Sequence, residues 1–344
     1  MKFHLFTQCL VCSVCALFTP SALSAAGLPD LSGAYNVATL TPIQRPSAYG
    51  DNLYLSREAA QRFAQAAEQF RSADNAVSDP NRAAPPTGGD GSQGAAGNVG
   101  GYNAFWLDNG DSAFSVDGKF RTSILTMPAN GRYPALTEQA KRAQVQRYRS
   151  YRKNTGTAWW LEQKGPGPYD NMEQRPLAER CLLGFGSVSG PPMLPVLYNN
   201  LKRIIQTEQH ILILVEMVHD ARVIRLNATH HPEHMRFWMG DSIGRWEGDT
   251  LVVDTTNFRS KSGLIGADEN LHVVERFSKN ADGSLNYSFV VNDSTVWQQP
   301  WGGDYPWPLT DEKMYEYACH EGNYALGNIM RGARLLEREE RSEN

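Results

Sequence analysis

Short runs rich in β-branched and aromatic residues fill the second half of this chain, and no helical pattern lies between them. Turn-forming segments at 247–249, 280–283 and 302–304 separate neighbouring runs. Short strands at this spacing predict that each strand pairs with the next one along the chain. The sequence therefore predicts a mainly β protein with an antiparallel meander, either closed into a barrel or folded as a sandwich. The predicted strands are 204–207, 210–217, 223–226, 243–246, 250–256, 271–277, 284–291 and 314–319.

The N-terminus has the layout of a cleavable secretory signal. Lys2 precedes an apolar run at 10–18, and small residues dominate 21–26. The apolar run is too short to span a membrane as an anchor. We therefore expect cleavage after Ala25 or Ala26 and a mature protein in the periplasm or outside the cell, with no remaining segment that inserts into a membrane.

Helical and glycine-rich patterns precede the β region. Ser56 predicts the N-cap of a helix that extends to about Phe70, and Thr137 predicts the cap of a second helix through 139–151. Between them, residues 74–101 are rich in Gly, Ala and Pro, which is typical of a long flexible loop. The predicted regions are a signal peptide at 1–26, a region with a strand, a helix and the loop at 27–101, and a β domain at 102–344.

Only two of the five cysteines lie outside the predicted signal, Cys181 and Cys319. An even pair in an oxidising compartment predicts a disulfide. The loop it closes is long enough to stabilise the fold by roughly 4 to 5 kcal/mol before any strain. The alternative is a catalytic thiolate at Cys319 beside His320, but adjacent residues on a strand point to opposite faces.

Composition and motifs exclude several classes of partner and cofactor. The formal net charge is −4, with no basic stripe and no zinc-finger spacing, so we expect no nucleic-acid partner. No glycine-rich phosphate loop and no haem motif is present in the sequence. The segment 184–190 contains a Gly-x-Ser pattern that is one residue too long for a hydrolase nucleophile elbow. We therefore expect a small-molecule ligand, no cofactor, and catalysis, if any, by acids and bases of the chain itself.

Three of the eight histidines lie within the segment 230–234. Pro232 interrupts the segment and Glu233 is not where a zinc metalloprotease needs its glutamate, so the helical zinc motif does not match. We predict no bound metal, with a metal site in a loop as the alternative. The plain interpretation is a polar loop at a barrel mouth. The functional one is that His231 acts as a general acid or base, because imidazole titrates near neutral pH.

The strand pattern at 271–277 gives Glu275 an unusual position. Alternation places Glu275 on the same face as its apolar neighbours, while His272 lies on the opposite face. A carboxylate that faces a barrel interior is costly unless it is paired or used in catalysis. Two interpretations carry equal weight: a general acid, or a buried ion pair with Arg222 or Arg245.

The segment 315–324 combines a thiol, an imidazole, two carboxylates and three phenols. A turn after the last predicted strand would present its polar side chains at the end of a barrel, and the alternative is that they hold Cys319 for its disulfide. Tryptophans crowd the same half of the chain and fit the walls of a site for a sugar or an aromatic ring. The predicted catalytic residues are Glu275, His231, His272, His320 and Glu321, and the predicted substrate-binding residues are Arg222, His219, Trp238, Tyr317, Tyr324 and Asp293.

Several segments resemble motifs of one protein family. They are 102–106, 121–123, 130–132, 179–181, 238–242, 244–255, 271–277 and 315–324. The family is a large, mostly uncharacterised group of secreted proteins from soil and aquatic bacteria that degrade complex organic matter. The resemblance covers nearly the whole chain after the predicted signal. It implies a lipocalin-like (calycin) antiparallel β-barrel and, for some members, glutathione-independent hydrolysis of lignin-derived aryl ethers.

Together these patterns favour a secreted, cofactor-independent hydrolase or lyase. General acid–base chemistry would cleave an aryl ether or glycosidic bond in a small aromatic or carbohydrate substrate. The alternative is a calycin-type carrier that binds a small apolar or aromatic ligand unchanged, and a third is a structural cell-envelope protein without a cavity. The enzyme requires Glu275, His231 and the turn at 320–324 to meet inside one cavity, whereas a carrier requires only aromatic walls.

Overall fold

The structure is a computed structural model of the chain. It describes residues 27–74, 81, 107–150, 156–184, 190–261 and 264–343. Outside the described residues lie the predicted signal at 1–26, most of the predicted loop at 74–101, the motif at 102–106 and most of the segment 184–190.

Strands dominate the described parts of the chain, as the sequence predicts, and a few helices lie beside them. The helices are α1 (Arg57–Asp74), α2 (Glu138–Ser150) and α3 (Tyr324–Glu343). The strands are β1 (Gly33–Asn36), β2 (Tyr54–Leu55), β3 (Ser115–Val116), β4 (Lys119–Arg121), β5 (Leu125–Met127), β6 (Leu201–Gln206), β7 (His210–Val215), β8 (Ala221–Leu226), β9 (Asp241–Glu247), β10 (Thr250–Thr256), β11 (His272–Lys279), β12 (Leu285–Asn292) and β13 (Trp301–Trp307).

Both predicted helices are confirmed, and each begins beside its predicted cap. Ala59 N donates to Ser56 Oγ at 3.2 Å, and Ala140 N donates to Thr137 Oγ1 at 3.1 Å. These side chains satisfy backbone donors that the first helical turn leaves without a partner.

The main sheet has ten strands in the order β1-β6-β7-β8-β9-β10-β11-β12-β13-β5, and a small separate sheet has the order β2-β4-β3. Neighbouring strands of the main sheet are antiparallel except β8 and β9, which are parallel. The meander from β9 to β13 is confirmed, but a purely antiparallel sheet is wrong. A hairpin cannot join parallel neighbours, so the connection at 227–240 carries the chain back to the start of β9.

The edge strand β1 of the main sheet also meets the residues that follow β13. Asn36 N of β1 donates to Pro308 O at 3.1 Å, and Thr310 N donates to Ala34 O at 2.9 Å. β1 is therefore hydrogen-bonded to β6 on one side and to the residues that follow β13 on the other. The sheet curls into a barrel-like β fold, which reduces the unpaired edge that an open sheet exposes.

Two glycines lie inside β13, so the predicted turn at 302–304 is wrong. A Cβ on Gly302 would lie 2.2 Å from Phe289 O, and a Cβ on Gly303 would lie 2.3 Å from Ile124 O. Glycine is required at both positions because the backbones on either side approach β13 closely.

No regular strand forms at 314–319, where the sequence predicts the last strand. That segment leads to α3, which the sequence patterns do not predict. A small second core fixes α3, where Ala333 packs with Trp160 and the Trp160 indole donates to Glu337 Oε1 at 2.7 Å. Among the described helices, none is both long enough and apolar enough to cross a bilayer.

Cys181 and Cys319 form a disulfide, as predicted, with their Cα atoms 5.7 Å apart. The bond joins positions separated by 138 residues and fixes the segment before α3. Because a disulfide sulfur is not a thiolate, the alternative role of Cys319 as a nucleophile is wrong.

Candidate functional site

Glu275 faces the interior, as its alternation predicts, and its side chain has no exposed surface. Arg222 Nη1 donates to Glu275 Oε1 at 3.0 Å and Arg222 Nη2 donates to Oε2. The Tyr287 hydroxyl also donates to Oε1, at 2.8 Å. Arg222 also donates from Nε to Ser242 Oγ at 3.1 Å and from Nη2 to Thr255 Oγ1 at 3.0 Å. Both carboxylate oxygens are therefore occupied, and the geometry is that of the predicted buried ion pair with Arg222.

We interpret this interior network as structural. Burial and the nearby Glu275 carboxylate hold the pKa of the Tyr287 phenol well above its usual range, so the hydroxyl stays a donor. Tyr287 in turn accepts a hydrogen bond from Met193 N at 2.8 Å, which ties a connecting segment to the barrel. The other predicted partner, Arg245, instead binds Glu247 on the surface. A buried ion pair of this kind is tolerated because further hydrogen bonds from Tyr287 and to Ser242 and Thr255 support both partners.

A second set of polar side chains lies on the opposite face of the same strands. Asp241, Asp254 and His272 come from β9, β10 and β11. Successive strand residues alternate between faces, so these side chains point away from the interior network. The connection between β8 and β9 adds His230 and His231 to this outer face.

These five side chains form one series, which we name the histidine–carboxylate chain. His272 Nε2 lies 3.0 Å from Asp254 Oδ2, and Asp254 Oδ1 lies 3.0 Å from His230 Nε2. His230 Nδ1 lies 3.1 Å from Asp241 Oδ2, and Asp241 Oδ1 lies 3.1 Å from His231 Nδ1. Each carboxylate thus bridges two imidazoles and fixes the orientation of both rings.

Asp241 is the most buried member of the chain, with 5% of its surface exposed. Burial raises its pKa, but hydrogen bonds from the His231 backbone, from Arg225 and from two imidazoles outweigh burial and lower the pKa to about 2. His231 N donates at 2.7 Å and Arg225 Nη2 donates at 2.8 Å. Asp241 is therefore ionised at neutral pH and holds the segment that carries His231.

The second carboxylate, Asp254, acts mainly on His272. Their hydrogen bond lowers the pKa of Asp254, although burial opposes the shift. The same hydrogen bond raises the pKa of His272, again against burial. The pair therefore favours the protonated imidazolium at this end of the chain.

His231 is the member best placed to meet a substrate. Its side chain is 36% exposed, and among the described residues its Nε2 makes no hydrogen bond. Nδ1 lies 3.1 Å from Asp241 Oδ1 and 3.0 Å from Arg225 Nη2, which can only donate. In the tautomer whose Nδ1–H donates to Asp241, Nε2 is left as a proton acceptor, which is the arrangement of an Asp–His dyad. The Phe237 ring lies 5.6 Å from the imidazole, and the adjacent Trp238 packs under the Arg259 guanidinium at 4.4 Å.

The predicted residues near the disulfide do not join this chain. His219 Nδ1 lies 3.0 Å from Tyr317 O. The other members of this predicted group are exposed: His320 and Glu321 lie in the turn before α3, and Tyr324 is its first residue. Glu275 is buried in the interior, whereas His231 lies on the outer face of the sheet. The predicted convergence of Glu275, His231 and the turn at 320–324 in one cavity is therefore absent.

Asp293 holds the turn that follows β12. Its Oδ1 accepts hydrogen bonds from Thr295 N at 3.0 Å and from Thr295 Oγ1 at 2.6 Å. Its Oδ2 is buried and has no partner among the described residues. The contacts of Oδ1 are those of an Asx turn.

A cavity of about 610 Å³ lies between α1 and the segments 39–43 and 195–198, and we name it the α1 cavity. Its volume falls within the range of about 300–1,000 Å³ that is typical of small-molecule sites. Phe63 and Ala67 of α1 line one side, and Met217 lines another. Most of the remaining wall is apolar. The other lining residues are Thr39, Leu40, Thr41, Pro42, Ile43, Asn109, Pro195, Val196, Leu197 and Tyr198.

Two groups with shifted pKa values lie close to this part of the fold. Lys202 has no exposed surface, and burial lowers its pKa to about 7 although nearby carboxylates oppose the shift. Burial and neighbouring carboxylates raise the pKa of Asp108, which precedes Asn109 of the cavity wall, to about 6. Shifts of this size are typical of functional sites but also occur in structural ion-pair networks. Strand alternation is the signal that identifies Lys202, because it faces inward with Ile204.

The predicted site residues include His231 and His272 but not His230, Asp241 or Asp254. The carboxylates are unremarkable in a linear sequence, because Asp241 begins one ordinary strand and Asp254 lies within the next. They become neighbours only through the register of β9, β10 and β11. Within the described ranges, no group of three or more histidine, cysteine or acidic side chains is arranged to hold a metal ion.

The sequence matches no described protein family, and no curated protein matches it either. The resemblance to secreted calycin-like proteins therefore stays a prediction. The structure itself defines a barrel-like β protein with a mixed sheet and one disulfide among the described residues.

Proposed function

We propose that this protein is a cofactor-independent hydrolase that cleaves an ether or glycosidic bond at the histidine–carboxylate chain. The observation that carries the proposal is the contact between Asp241 and His231. In the tautomer whose Nδ1–H donates to the ionised, buried Asp241 carboxylate, Nε2 of this part-exposed imidazole is left to take up a proton. The aromatic side chains beside His231 favour a small aromatic substrate over a polar one.

In this reaction His231 Nε2 removes a proton from a water molecule as the water oxygen attacks the carbon of the scissile bond. Asp241 stabilises the imidazolium that forms, as the carboxylate of an Asp–His dyad does. The bond from that carbon to the leaving oxygen breaks on the opposite side of the carbon. A solvent water gives the leaving oxygen its proton, and the imidazolium returns its proton to the solvent. One water is consumed and two hydroxyl groups are formed. General acid–base catalysis of this kind contributes about 100- to 10,000-fold.

The test is turnover of a panel of lignin-derived aryl ether dimers and aryl glycosides in ¹⁸O water, with products identified by mass spectrometry. His231→Gln and Asp241→Asn should each lower kcat by about 100-fold or more. His210→Gln changes an exposed histidine of β7 outside the chain and is the matched control. Native turnover in both active-site variants, or equal losses in the control, would refute the proposal.

A second candidate function is favoured by the α1 cavity. Its volume and mainly apolar wall fit a carrier that binds a small apolar or aromatic ligand unchanged. A carrier does not need the convergence of Glu275, His231 and the turn at 320–324, which is absent. This function concerns a different part of the molecule from the histidine–carboxylate chain.

Fluorescence titration with an uncharged aromatic probe separates the two functions. Ala67→Trp places a large side chain in the cavity wall, whereas Ala66→Trp changes an exposed position of the same helix. A carrier predicts loss of probe binding only in Ala67→Trp and no product in any variant. A hydrolase predicts turnover that depends on His231 whether or not the cavity is filled.

A further inference from the structure

Three arginines lie close together beside the small β2-β4-β3 sheet, and we name them the arginine cluster. They are Arg45, Arg121 and Arg132. Arg45 is 2% exposed and Arg121 is 8% exposed, while Arg132 is part-exposed. Burial lowers the pKa of Arg45, and the positive charges of the other two lower it further, against the opposing effect of Asp51. The cluster shares no residue with the histidine–carboxylate chain or the α1 cavity.

Arg45 is buried without an ion-pair partner among the described residues. Its Nη1 donates to Asp51 O at 3.0 Å and to Ala129 O at 2.9 Å. Both acceptors are backbone carbonyls, which carry no net charge. Its Nε is buried and has no hydrogen-bond partner in the described structure. A buried charge is ordinarily paired in direct contact. Among the described residues, the Asp51 carboxylate acts on Arg45 but forms no ion pair with it.

The partners of the other two arginines do not neutralise the arginine cluster. Arg121 Nη2 binds Asp304 Oδ2 at 2.9 Å, but Arg121 Nε is buried and has no partner among the described residues. Arg132 Nε donates to Arg45 O at 3.3 Å, which joins the two arginines through the backbone. Within the described residues, three guanidinium groups therefore share a single carboxylate ion pair, the one with Asp304.

Gly131 packs directly against the side chain of Arg45. Its φ is +67°, and a Cβ at this position would lie 2.9 Å from Arg45 Nη2 and 2.8 Å from Ser123 Oγ. Arg45 N also donates to Gly131 O at 2.8 Å, which fixes the glycine against the arginine. Any larger residue here would press on the edge of the guanidinium, and that edge makes no hydrogen bond within the described structure.

We propose that the arginine cluster is a binding site for a small oxyanion. Its oxygens accept hydrogen bonds from the unused donors of Arg45 and Arg132, and its charge balances the buried guanidinium. Planar guanidinium groups match the geometry of carboxylate, phosphate and sulfate oxygens. The inference does not rest on the proposed hydrolase function and extends to a part of the fold that the function does not use.

Isothermal titration calorimetry of the full chain with sodium phosphate, sodium sulfate and sodium acetate at constant ionic strength tests the site. We expect saturable binding of at least one anion. Arg132→Gln changes the least buried arginine and should weaken that binding about tenfold, the effect of one lost charge-assisted hydrogen bond. Gly131→Ala should weaken it as well. Arg276→Gln removes the same charge from an exposed arginine paired with Glu247 and is the matched control.

Comparison of the three anions also identifies the chemical class of the ligand. Binding of acetate indicates a carboxylate ligand, whereas binding of phosphate or sulfate alone indicates a tetrahedral anion. Binding to the folded state should also raise the midpoint of thermal unfolding in the native protein and in Arg276→Gln, but less in Arg132→Gln. No saturable heat with any anion, or equal affinity in Arg132→Gln and the control, would show that anions only screen the surface charge.

Discussion

His272 and Glu275 lie an odd number of residues apart on β11 and point to opposite faces of the sheet. His272 binds Asp254 on the outer face, whereas Glu275 binds Arg222 in the interior. One strand therefore supports a buried ion pair on one side and a series of imidazoles and carboxylates on the other. Substitutions on the two faces should separate stability from activity.

Glu275→Gln should destabilise the fold, because it leaves the Arg222 guanidinium buried without its counter-charge. We expect the free energy of unfolding to fall by about 3–5 kcal/mol, measured by urea denaturation. The double variant Arg222→Met with Glu275→Leu should recover part of the loss, since no unpaired charge is left. Native stability together with abolished turnover in Glu275→Gln would instead make Glu275 a catalytic acid.

Asp254→Asn should lower the pKa of His272, because the hydrogen bond that favours the imidazolium is lost. The folded pKa of His272 lies above its unfolded value of about 6.5, so this pair stabilises the fold below that pH. The stabilisation is lost as pH rises through the folded pKa. The stability deficit of Asp254→Asn should therefore be larger in mild acid, where Asp254 is still ionised, than at alkaline pH.

The measurement for His272 is an NMR titration of its imidazole signal in the native and variant proteins, with denaturation at both ends of the pH range. His210 provides an internal control because it is exposed on β7 and contacts no member of the histidine–carboxylate chain. An unchanged titration of His272 in Asp254→Asn would contradict the assigned contact.

Asp241 should contribute to stability in mild acid. Its pKa is lowered to about 2 in the folded protein, whereas an unfolded aspartate titrates near about 3.9. Its contribution is complete above the unfolded value and disappears as pH falls through the folded value. In Asp241→Asn, the free energy of unfolding should therefore change less with pH between these two pKa values than in the native protein. Denaturation at a series of pH values measures this dependence. Asp249→Asn, at an exposed turn, should keep the native profile.

Removal of the disulfide should lower the stability of the fold but leave the histidine–carboxylate chain in place. Replacing Cys181 and Cys319 by serine opens a loop of 138 residues, and the chain-entropy estimate of the loss is roughly 4 to 5 kcal/mol. Thermal unfolding measures this loss. Turnover well below the new midpoint should match the native value, because the histidines are held by β8 to β11. A parallel loss of turnover at low temperature would place the site near the disulfide.

Gly302→Ala tests the close approach of β12 and β13. An added Cβ would lie 2.2 Å from Phe289 O, so the strands must separate and the midpoint of thermal unfolding should fall. Gly327→Ala in α3 meets no atom within 4 Å, and it should stabilise the helix by about 0.5–1 kcal/mol. Equal effects of the two substitutions would contradict the packing of β13.

Several features of this protein were accessible from local sequence. Ser56 and Thr137 mark helix starts because a capping side chain acts on a backbone group only three residues away. The inward position of Glu275 follows from strand alternation, which has a period of two residues. Features that depend on distant segments could not be predicted from local sequence. The glycines of β13 predict a turn, because the backbones that require Gly302 and Gly303 belong to other parts of the chain.

The sequence by itself determined a mainly β fold, the pairing of Cys181 with Cys319 and the inward face of Glu275. Each of these follows from residue spacing along one segment or from the count of a residue type. Only the tertiary structure decided that Glu275 binds Arg222 and that His230 and His231 meet Asp241. The physical reason is that those contacts depend on strand register and on the parallel crossover between β8 and β9, and neither is encoded in the periodicity of a single strand.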